Sequence, residues 1–410
     1  MKNLFSILVA VVFVFSVLTS AQDDEKKYPR YGGFARIYSM GDNPFVVDPD
    51  NIKTNPAYSS IYSNFLWGDI GSNNGNPEDG TGQFAGFNYS LNKEFTLGAM
   101  LTRNDFNSSS IGSLDPGGLV DLINGNETGA DIVNLNNNFE LLSSYRFGNY
   151  VIGLGLSYAS TTNDFTPATG TGDKNSASQL GVNVGFMADL NSSFKFDVDF
   201  AILMPSATYE PGTGDKVEAS NTFMAANARV FLKLSNKFTL VPLVGFYNGS
   251  GKVDVGAQST DMPSMMSLGA GVGLTYQVEN LILSGGPSFA YQTTTTASVA
   301  NVSPELKDSR FVFPQWNLGA EWYFTNWLIG RMGYVASTFS QTNQAFATST
   351  TVDENSRTGF GEGDVRLGVG LRFGGFNLDA TVNDDVLRQG FNLVGGGVRT
   401  FAYLSASYAF

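Results

Sequence analysis

The chain ends in Ala402-Tyr403-Leu404-Ser405-Ala406-Ser407-Tyr408-Ala409-Phe410, a stretch whose alternation decides the fold class. Its residues Ala402, Leu404, Ala406, Tyr408 and Phe410 occupy every second position, so in a β-strand they share one face. The same period of two recurs at 150–158, 194–202 and 364–373, where Gly, Ala, Ser or charged residues separate large apolar ones. Strands of about ten residues with one apolar face are typical of a barrel that has lipid outside and a polar lumen inside.

Seven short polar turns join such strands in pairs, and longer loops rich in Asn, Ser, Thr, Gly and Asp separate the pairs. The turns lie at 91–93, 147–149, 190–193, 235–237, 278–280, 325–326 and 373–375. Adding a first strand at 63–70 and a last strand at 398–410 gives sixteen strands, with both ends on the side of the short turns. We therefore predict that residues 63–410 form an all-β, transmembrane, antiparallel outer-membrane barrel of sixteen strands, with fourteen as the alternative. A soluble β-sandwich would alternate too, but it would not need so many aromatic residues beside its turns.

The composition narrows the function. The 410 residues include 24 Lys and Arg against 37 Asp and Glu, a net charge of −13, and neither Cys nor His. Without Cys and His there is no disulfide, Ser-His-Asp centre or imidazole metal site, and the acidic balance disfavours a nucleic-acid partner. We predict that the protein is not an enzyme and has no cofactor or metal site. A carboxylate-based enzyme is the class left open, although no pair of carboxylates stands out.

Residues 1–21 have the three parts of a secretory signal peptide. Lys2 gives the positive start, residues 4–18 the apolar core, and Thr19-Ser20-Ala21 the small-residue cleavage site. The apolar core is shorter than the roughly 20 residues of a transmembrane helix, and a very polar segment follows it. We predict cleavage before Gln22 and a mature protein in the bacterial cell outer membrane.

Residues 22–62 lack the alternation of a strand and are rich in turn formers and helix caps. Asn55 is placed to cap a short helix that has Pro56 at its first position. Four aromatic residues, Tyr28, Tyr31, Phe34 and Tyr38, need burial, and the barrel lumen offers it. We predict that this segment is a hatch folded into the lumen, with Arg36 paired to carboxylates there. A polar periplasmic tail is the alternative.

The hatch carries two short motifs: Gly33, Arg36, Tyr38 and Ser39, and, after Asp48 and Asp50, Asn55-Pro56-Ala57. These residues resemble the N-terminal hatch of the FadL/TodX-type outer-membrane transporters of long-chain fatty acids and other hydrophobic compounds. Asn-Pro-Ala also marks the related PorV-type barrels of a secretion system. The family has fourteen strands and mostly longer extracellular loops, so this chain departs from it in both respects.

The resemblance implies a plugged barrel in which a ligand enters from outside and leaves sideways through the wall into the membrane. The predicted function is passive transport of hydrophobic small molecules, either long-chain fatty acids or hydrocarbons. A PorV-like interaction barrel and a general porin are the alternatives. The expected partners are the hydrophobic ligand, outer-membrane lipid and the barrel-assembly machinery. The terminal Phe410 resembles the signature that this machinery reads at the end of barrel chains.

Several charged residues fall on the predicted inner face: Lys195, Asp197, Asp199, Arg229, Lys233, Asp364, Arg366, Arg372 and Asp379. We predict that they form lumenal salt bridges that hold the hatch, with ligand contacts as the alternative. Possible ligand-lining residues are Val241 and Leu243, on a strand with two apolar faces, and Phe311 and Phe313, in phase with Gln315 and Glu321. Pro242 and Pro314 lie within strands, where each removes a ladder hydrogen bond, so both are candidate irregularities of the wall.

Overall fold

A computed structural model describes residues 30–71, 82–104, 106, 108–126, 134–299, 303–348, 350–361, 363–382 and 400–410. The predicted signal peptide, the first residues of the hatch with Tyr28, and residues 398–399 of the predicted last strand lie outside this part. Two α-helices are described, α1 (Phe34–Ser39) and α2 (Leu119–Asn126), and two 3-10 helices, η1 (Pro49–Lys53) and η2 (Pro56–Ser60). None of the described helices has the length and apolar character needed to cross a membrane.

All remaining regular structure is one antiparallel sheet. Its strands are β1 (Phe65–Gly71), β2 (Phe84–Ser90), β3 (Phe95–Arg103), β4 (Asn137–Phe147), β5 (Tyr150–Phe165), β6 (Asp173–Asn191), β7 (Phe194–Glu210), β8 (Val217–Lys233), β9 (Phe238–Val255), β10 (Gln258–Asp261), β11 (Ser264–Val278), β12 (Leu281–Thr296), β13 (Leu306–Tyr323), β14 (Leu328–Phe346), β15 (Val352–Phe360), β16 (Asp364–Phe373), β17 (Phe376–Val382) and β18 (Phe401–Ala409). Strand β1 pairs with both β2 and β18, which closes the sheet into a barrel.

The eighteen strands fill sixteen positions around the barrel. Strands β10 and β11 both pair with β9, one above the other, and β15 and β16 share β14 in the same way. Each of the seven predicted turns connects a neighbouring pair of strands. The prediction of sixteen strands is therefore confirmed, and the alternative of fourteen is wrong.

The wall is taller on one side than on the other. Strands β5 to β9 and β12 to β14 have 16 to 19 residues, whereas β1, β2 and β17 have only seven. A strand needs about 9–11 residues to cross the hydrocarbon core of a bilayer. The long strands therefore project beyond the membrane on the side of the long loops, which in outer-membrane barrels faces outside.

Aromatic side chains ring the outer surface beside the short turns. Tyr145, Phe147, Tyr150, Phe186, Phe196 and Phe194 form a continuous series across β4 to β7, with neighbouring ring centroids 5.5–6.3 Å apart. Trp322 and Phe324 lie 5.0 Å apart at the turn after β13. Such a girdle is typical of the interface between lipid and water in outer-membrane barrels.

Strand β13 contains an irregularity that corrects one prediction. Its pairing with β14 shifts by one residue between Val312 and Gln315, at Pro314. An extra residue moves every side chain beyond it to the opposite face. Phe311 and Phe313 therefore face outward and are 44% and 55% exposed, so the prediction that they line the lumen is wrong.

The second candidate irregularity interrupts the pairing but shifts no register. Pro242 stays in register opposite Val272 of β11. On the other side, the pairing of β9 with β8 lacks the two pairs between Arg229–Leu243 and Leu232–Leu240, and it resumes in the same register. Pro242 therefore leaves the faces of β9 unchanged.

Candidate functional site in the barrel lumen

The N-terminal segment, residues 30–64, is built from short capped turns. The Asp48 side chain caps η1 by accepting a hydrogen bond from the backbone N–H of Asp50, 2.9 Å away. The Asn55 side chain caps η2 in the same way, with the backbone N–H of Ala57 as donor at 3.0 Å. In both helices Pro follows the cap, where its fixed φ suits the first turn. The sequence Asn55-Pro56-Ala57 is thus a helix start.

This helix start packs against a pair of glycines in the wall. Gly153 of β5 and Gly185 of β6 are cross-strand partners. A Cβ atom at Gly153 would overlap the backbone of Pro56 and Ala57, and one at Gly185 would overlap the Asn55 side chain. Only glycine allows the segment to approach the wall this closely.

A second pair of glycines receives the segment on the other side of the lumen. Gly319 of β13 and Gly333 of β14 are partners, and a Cβ atom at either would overlap Met40 or Gly41. The Asn317 side chain donates a hydrogen bond to the carbonyl oxygen of Gly41 at 2.8 Å. Strands β5 and β6 are the fifth and sixth of the sixteen positions, and β13 and β14 the twelfth and thirteenth. The segment therefore reaches across the lumen.

Replacing Gly153 by Ala is expected to loosen this packing. The added methyl group forces Ala57 away from the wall, and overpacking of this kind costs about 1–3 kcal/mol. Thermal unfolding in detergent, followed by circular dichroism, should show a lower midpoint than in the wild type. Gly269→Ala is the matched control, because a Cβ atom there meets nothing nearer than 3.4 Å. Equal midpoints for the two variants would contradict the close approach at Gly153.

Six buried side chains of alternating sign link the segment to the wall. In order they are Asp48, Arg36, Glu321, Arg331, Asp379 and Arg372, here named the charge chain. Successive members are joined by ion pairs of 3.0, 2.8, 2.6, 2.7 and 2.7 Å, and no side chain is more than 9% exposed. Its three positive and three negative charges balance. Because each buried charge has an opposite neighbour, the desolvation cost of each is offset.

Arg36 is the point where the segment enters the charge chain. It contacts Glu321 of β13 with Nε and Nη2, and Asp48 of its own segment with Nη1. Burial opposes the charged guanidinium, but the carboxylates of Glu321 and Asp48 outweigh it and raise the pKa of Arg36. Arg36 therefore stays charged at any physiological pH.

Two further charged groups hold the segment. Arg229 of β8 pairs with Asp197 at 3.0 Å and donates hydrogen bonds to the Tyr58 hydroxyl and to the carbonyl oxygens of Pro44 and Val46. Arg366 of β16 pairs with Asp42 of the segment and Asp364 of its own strand, and its guanidinium lies 3.8 Å from the centre of the Tyr38 ring.

Most predicted lumen charges are thus brought together around the segment, but not all. Asp199 accepts a hydrogen bond from Asn227, and Lys195 pairs with Asp189 at 3.7 Å near the turn that precedes β7. Lys233 is exposed at the turn end of β8, away from the segment. Among the motif residues of the hatch, Gly33 caps α1, and the Ser39 hydroxyl donates to the carbonyl oxygen of Arg36.

Several residues at the centre of the site are not among the predicted ones. Glu321 and Arg331 are direct cross-strand partners, and they stand in phase with other inward positions of β13 and β14. Their inward phase is the sequence feature that would have placed both residues in the lumen. Lys53 of the segment is fully buried, pairs with Asp50 and lies 5.2–5.8 Å from the centres of the Phe34, Phe84 and Phe106 rings. It lies outside both motifs, so no sequence signal marked it.

The interior also contains apolar surface. Ile52, Tyr58 and Tyr62 of the segment join Phe65, Trp67, Phe84, Met100, Leu142, Val151 and Met187 of the wall in one buried cluster. Of the two predicted lining residues on β9, Val241 is buried and Leu243 half-buried. Both have the phase of the inner face, opposite to the exposed Val244.

A second segment enters the lumen from the side of the long loops. Residues 110–113 are held by hydrogen bonds from inward side chains, among them Ser157 to the carbonyl oxygen of Ile111 (2.8 Å) and Gln179 to that of Ser113 (2.6 Å). Helix α2 then packs Leu119, Val120 and Ile123 on Ala159, Ala177, Ala207, Tyr209, Val217 and Ala219 of β5 to β8. The lumen is therefore occupied at two levels. The described residues contain no group of three or more acidic side chains that could hold a metal ion.

The chain is similar to many solved proteins, of which three are described here. The toluene transporter TodX of Pseudomonas putida is 12% identical, with 93% of this chain and 98% of that one covered and a TM-score of 0.38. The monoaromatic hydrocarbon channel CymD is 9% identical, with 93% of this chain and 99% of that one covered and a TM-score of 0.39. A Pseudomonas aeruginosa FadL homologue is 12% identical, with 90% of this chain and 96% of that one covered and a TM-score of 0.36.

The similarity to FadL/TodX-type proteins, predicted from the N-terminal motifs, is thus found in the structure as well. No protein-family model matches the sequence, and neither does any curated protein.

Proposed function

We propose that this protein transports hydrophobic small molecules passively across the bacterial outer membrane, through a lumen that its N-terminal segment closes. The observation that carries the proposal is what fills the barrel interior. The segment spans the lumen between two glycine pairs, and the space around it contains a large apolar cluster. When the segment shifts, this cluster is uncovered, and an apolar ligand gains free energy by contacting it, whereas a hydrated solute must lose its water.

A general porin is the weaker reading of the same geometry. Barrels of 16–18 strands that act as porins leave an aqueous channel with a polar lining. Here the segment, the charge chain and α2 occupy the interior, and the apolar side chains of the cluster face inward. These contacts favour a closed resting state that selects for apolar molecules.

The N-terminal motifs support the same conclusion. Gly33 caps α1, which contains Arg36, Tyr38 and Ser39, and Asn55-Pro56-Ala57 starts η2, so both motifs resembling FadL/TodX-type hatches form ordered parts of the segment. The terminal Phe410, whose ring lies 6.1 Å from that of Tyr408, is the residue that we expect the barrel-assembly machinery to recognise. A closed antiparallel barrel of sixteen strands is typical of outer-membrane proteins, which supports the proposed location in the bacterial outer membrane.

Transport in this proposal requires the segment to shift, and a disulfide tests that requirement. The hydroxyl oxygens of Ser59 in the segment and Ser144 in β4 are 2.9 Å apart and buried. Because the chain has no Cys, Ser59→Cys combined with Ser144→Cys introduces a single pair of thiols. Oxidised cells carrying this variant should take up the apolar fluorescent dye N-phenyl-1-naphthylamine much more slowly than cells carrying the wild type, and a reductant should restore uptake.

Each single substitution serves as a control, since neither can form the bond. Loss of uptake that a reductant does not reverse would point to damaged folding, which the single variants would reveal. Undiminished uptake by a fully oxidised double variant would mean that ligands pass without movement of the segment. The proposal of a plug would then be wrong.

A further inference from the structure

The outer surface of the tall part of the wall changes from apolar to polar part-way along β5. The exposed residues at the start of this strand are all apolar or aromatic, and they are Tyr150, Ile152, Leu154, Leu156 and Tyr158. A strand needs about 9–11 residues to cross the hydrocarbon core of a bilayer, and 150–158 are enough. The outer apolar band therefore ends at Tyr158, and the rest of β5 stands above the hydrocarbon on the side of the long loops.

Two rows of hydroxyl groups lie directly above this apolar band. Their members are cross-strand partners on β5, β6, β7 and β8. The first row is Ser160, Ser178, Ser206 and Ser220, and the second is Thr162, Ser176 and Thr208 with Glu218 at its end. The serines and threonines of both rows are here named the hydroxyl rows. The hydroxyl oxygens of Ser178 and Ser206, at their centre, are 2.9 Å apart.

The hydroxyl rows face away from the lumen. The residues that alternate with them, Ala159, Ala177, Ala207 and Ala219, pack against α2 inside the barrel. Because successive side chains of a strand point to opposite faces, the hydroxyls lie on the outer surface. Ser160 and Thr162 are exposed, and the other members of the rows are half-buried. The hydroxyl rows are therefore accessible from outside the barrel.

The second tall part of the wall shows the same change. On β13 the outward residues are apolar as far as Phe311, and the next outward residue is Ser309. Ser309 stands in a row with Thr293 of β12, Thr342 of β14 and Ser356 of β15. The hydroxyl oxygens of Thr342 and Ser356 are 2.9 Å apart. Hydroxyl groups thus follow apolar side chains above the hydrocarbon on both tall parts of the wall.

We propose that the hydroxyl rows bind the sugar head group of a glycolipid in the outer leaflet of the membrane. They continue the apolar band without a gap, so a lipid whose acyl chains lie on the band brings its head group to the hydroxyls. A hydroxyl group both donates and accepts hydrogen bonds, as the hydroxyls of a sugar do. Neighbouring strands are about 4.8 Å apart and alternate residues about 7 Å apart, so the rows form a flat grid that fits several sugar rings.

The charge of the surface favours a sugar over a phosphate head group. Phosphate groups are bound most strongly by Arg and Lys, and the hydroxyl rows contain neither. Charged residues begin only in the next row, where Lys174 is the partner of both Asp164 and Glu210. The surface directly above the apolar band is thus polar and almost without charge, as is a layer of sugars.

This inference concerns the outer surface and does not depend on the transport proposal. Purified full-length protein in a non-ionic detergent is tested for equilibrium binding of rough lipopolysaccharide, which carries core sugars, and of phosphatidylglycerol, which is also anionic but carries none. The wild type should bind the lipopolysaccharide about tenfold or more tightly. The variant Ser178→Val/Ser206→Val keeps side chains suited to a strand and should bind the lipopolysaccharide about tenfold more weakly, because two hydroxyls are lost. Its affinity for phosphatidylglycerol should change less than about twofold.

Thr348→Val/Thr351→Val is the matched control. These two hydroxyls are also hydrogen-bonded to each other, at 2.6 Å, but they lie in the connection between β14 and β15 and not above the apolar band of a strand. This variant should bind both lipids as the wild type does, and a higher mobility before heating in a denaturing gel will show that both variants are folded. Equal binding of the two lipids by the wild type would overturn the sugar site. Unchanged lipopolysaccharide binding by the Ser178→Val/Ser206→Val variant, or an equal loss for both lipids, would overturn it too.

Discussion

Deletion of residues 22–57 will turn a poorly conducting barrel into one with large, steady pores in planar-bilayer recordings. A barrel of sixteen strands encloses an aqueous channel unless other residues fill it. Within the described part of the chain, the segment crosses the lumen from the Gly153–Gly185 pair to the Gly319–Gly333 pair. Its removal takes away α1, η1 and the start of η2, and exposes Glu321, Arg331 and Asp379 to water.

The intact protein and the oxidised Ser59→Cys/Ser144→Cys variant are the controls, and both should remain closed. Faster migration of the unheated than of the heated sample in a denaturing gel will show that the shortened barrel is folded, because a folded barrel is more compact than the unfolded chain. Large and equal conductance with and without residues 22–57 would show that the segment does not block the lumen. The interpretation as a plugged transporter would then give way to a general porin.

The second large effect is expected from Glu321→Gln. Glu321 stands between Arg36 and Arg331 in the charge chain and is the carboxylate that both contact. When Glu321 is neutral, the buried guanidinium groups of Arg36 and Arg331 lose the carboxylate that they share. Breaking a buried ion pair by removal of one partner costs about 3–5 kcal/mol. The free energy of unfolding by guanidinium chloride, followed through tryptophan fluorescence, should fall by that amount.

A double-mutant cycle isolates the contact. Arg36→Gln alone should also be costly, but Arg36→Gln combined with Glu321→Gln should cost less than the sum, because the ion pair between Arg36 and Glu321 is then lost once and not counted twice. Lys195→Gln is the control for a partly exposed pair, and its loss should cost at most about 1 kcal/mol. Additive effects of the Arg36 and Glu321 substitutions would mean that the two residues do not interact.

The fold was predictable because its signals are local. A period of two and a short polar turn are properties of neighbouring residues, so seven hairpins could be located without knowledge of the rest of the chain. The same locality explains the error at Phe311 and Phe313. Regular alternation from Gln315 through Pro314 places both on the inner face, but one extra residue at Pro314 exchanges the inner and outer faces of the strand. A sequence shows that Pro314 is unusual in a strand, but not how many residues the strand gains there.

The site was predictable in part. Arg36 was expected to meet a carboxylate, yet its partner Glu321 is 285 residues away along the chain. Which inward charge faces which residue of the segment depends on the register of all intervening strands and on where the segment lies in the lumen. Lys53 shows the same limit, because its three aromatic neighbours come from three separate stretches of the chain, one in the same segment and two in or after the wall strands that follow it.

These long separations bear on the order of folding. The backbone N–H of Ala35 donates a hydrogen bond to Ser405, 370 residues later, and Arg36 meets Glu321 in the last third of the chain. The N-terminal segment therefore finds its partners only after the final strands have been made. Contacts of such high sequence separation form slowly. Docking of the segment is thus a late step, coupled to the pairing of β1 with β18, and a chain that stops before β13 has no place for Arg36.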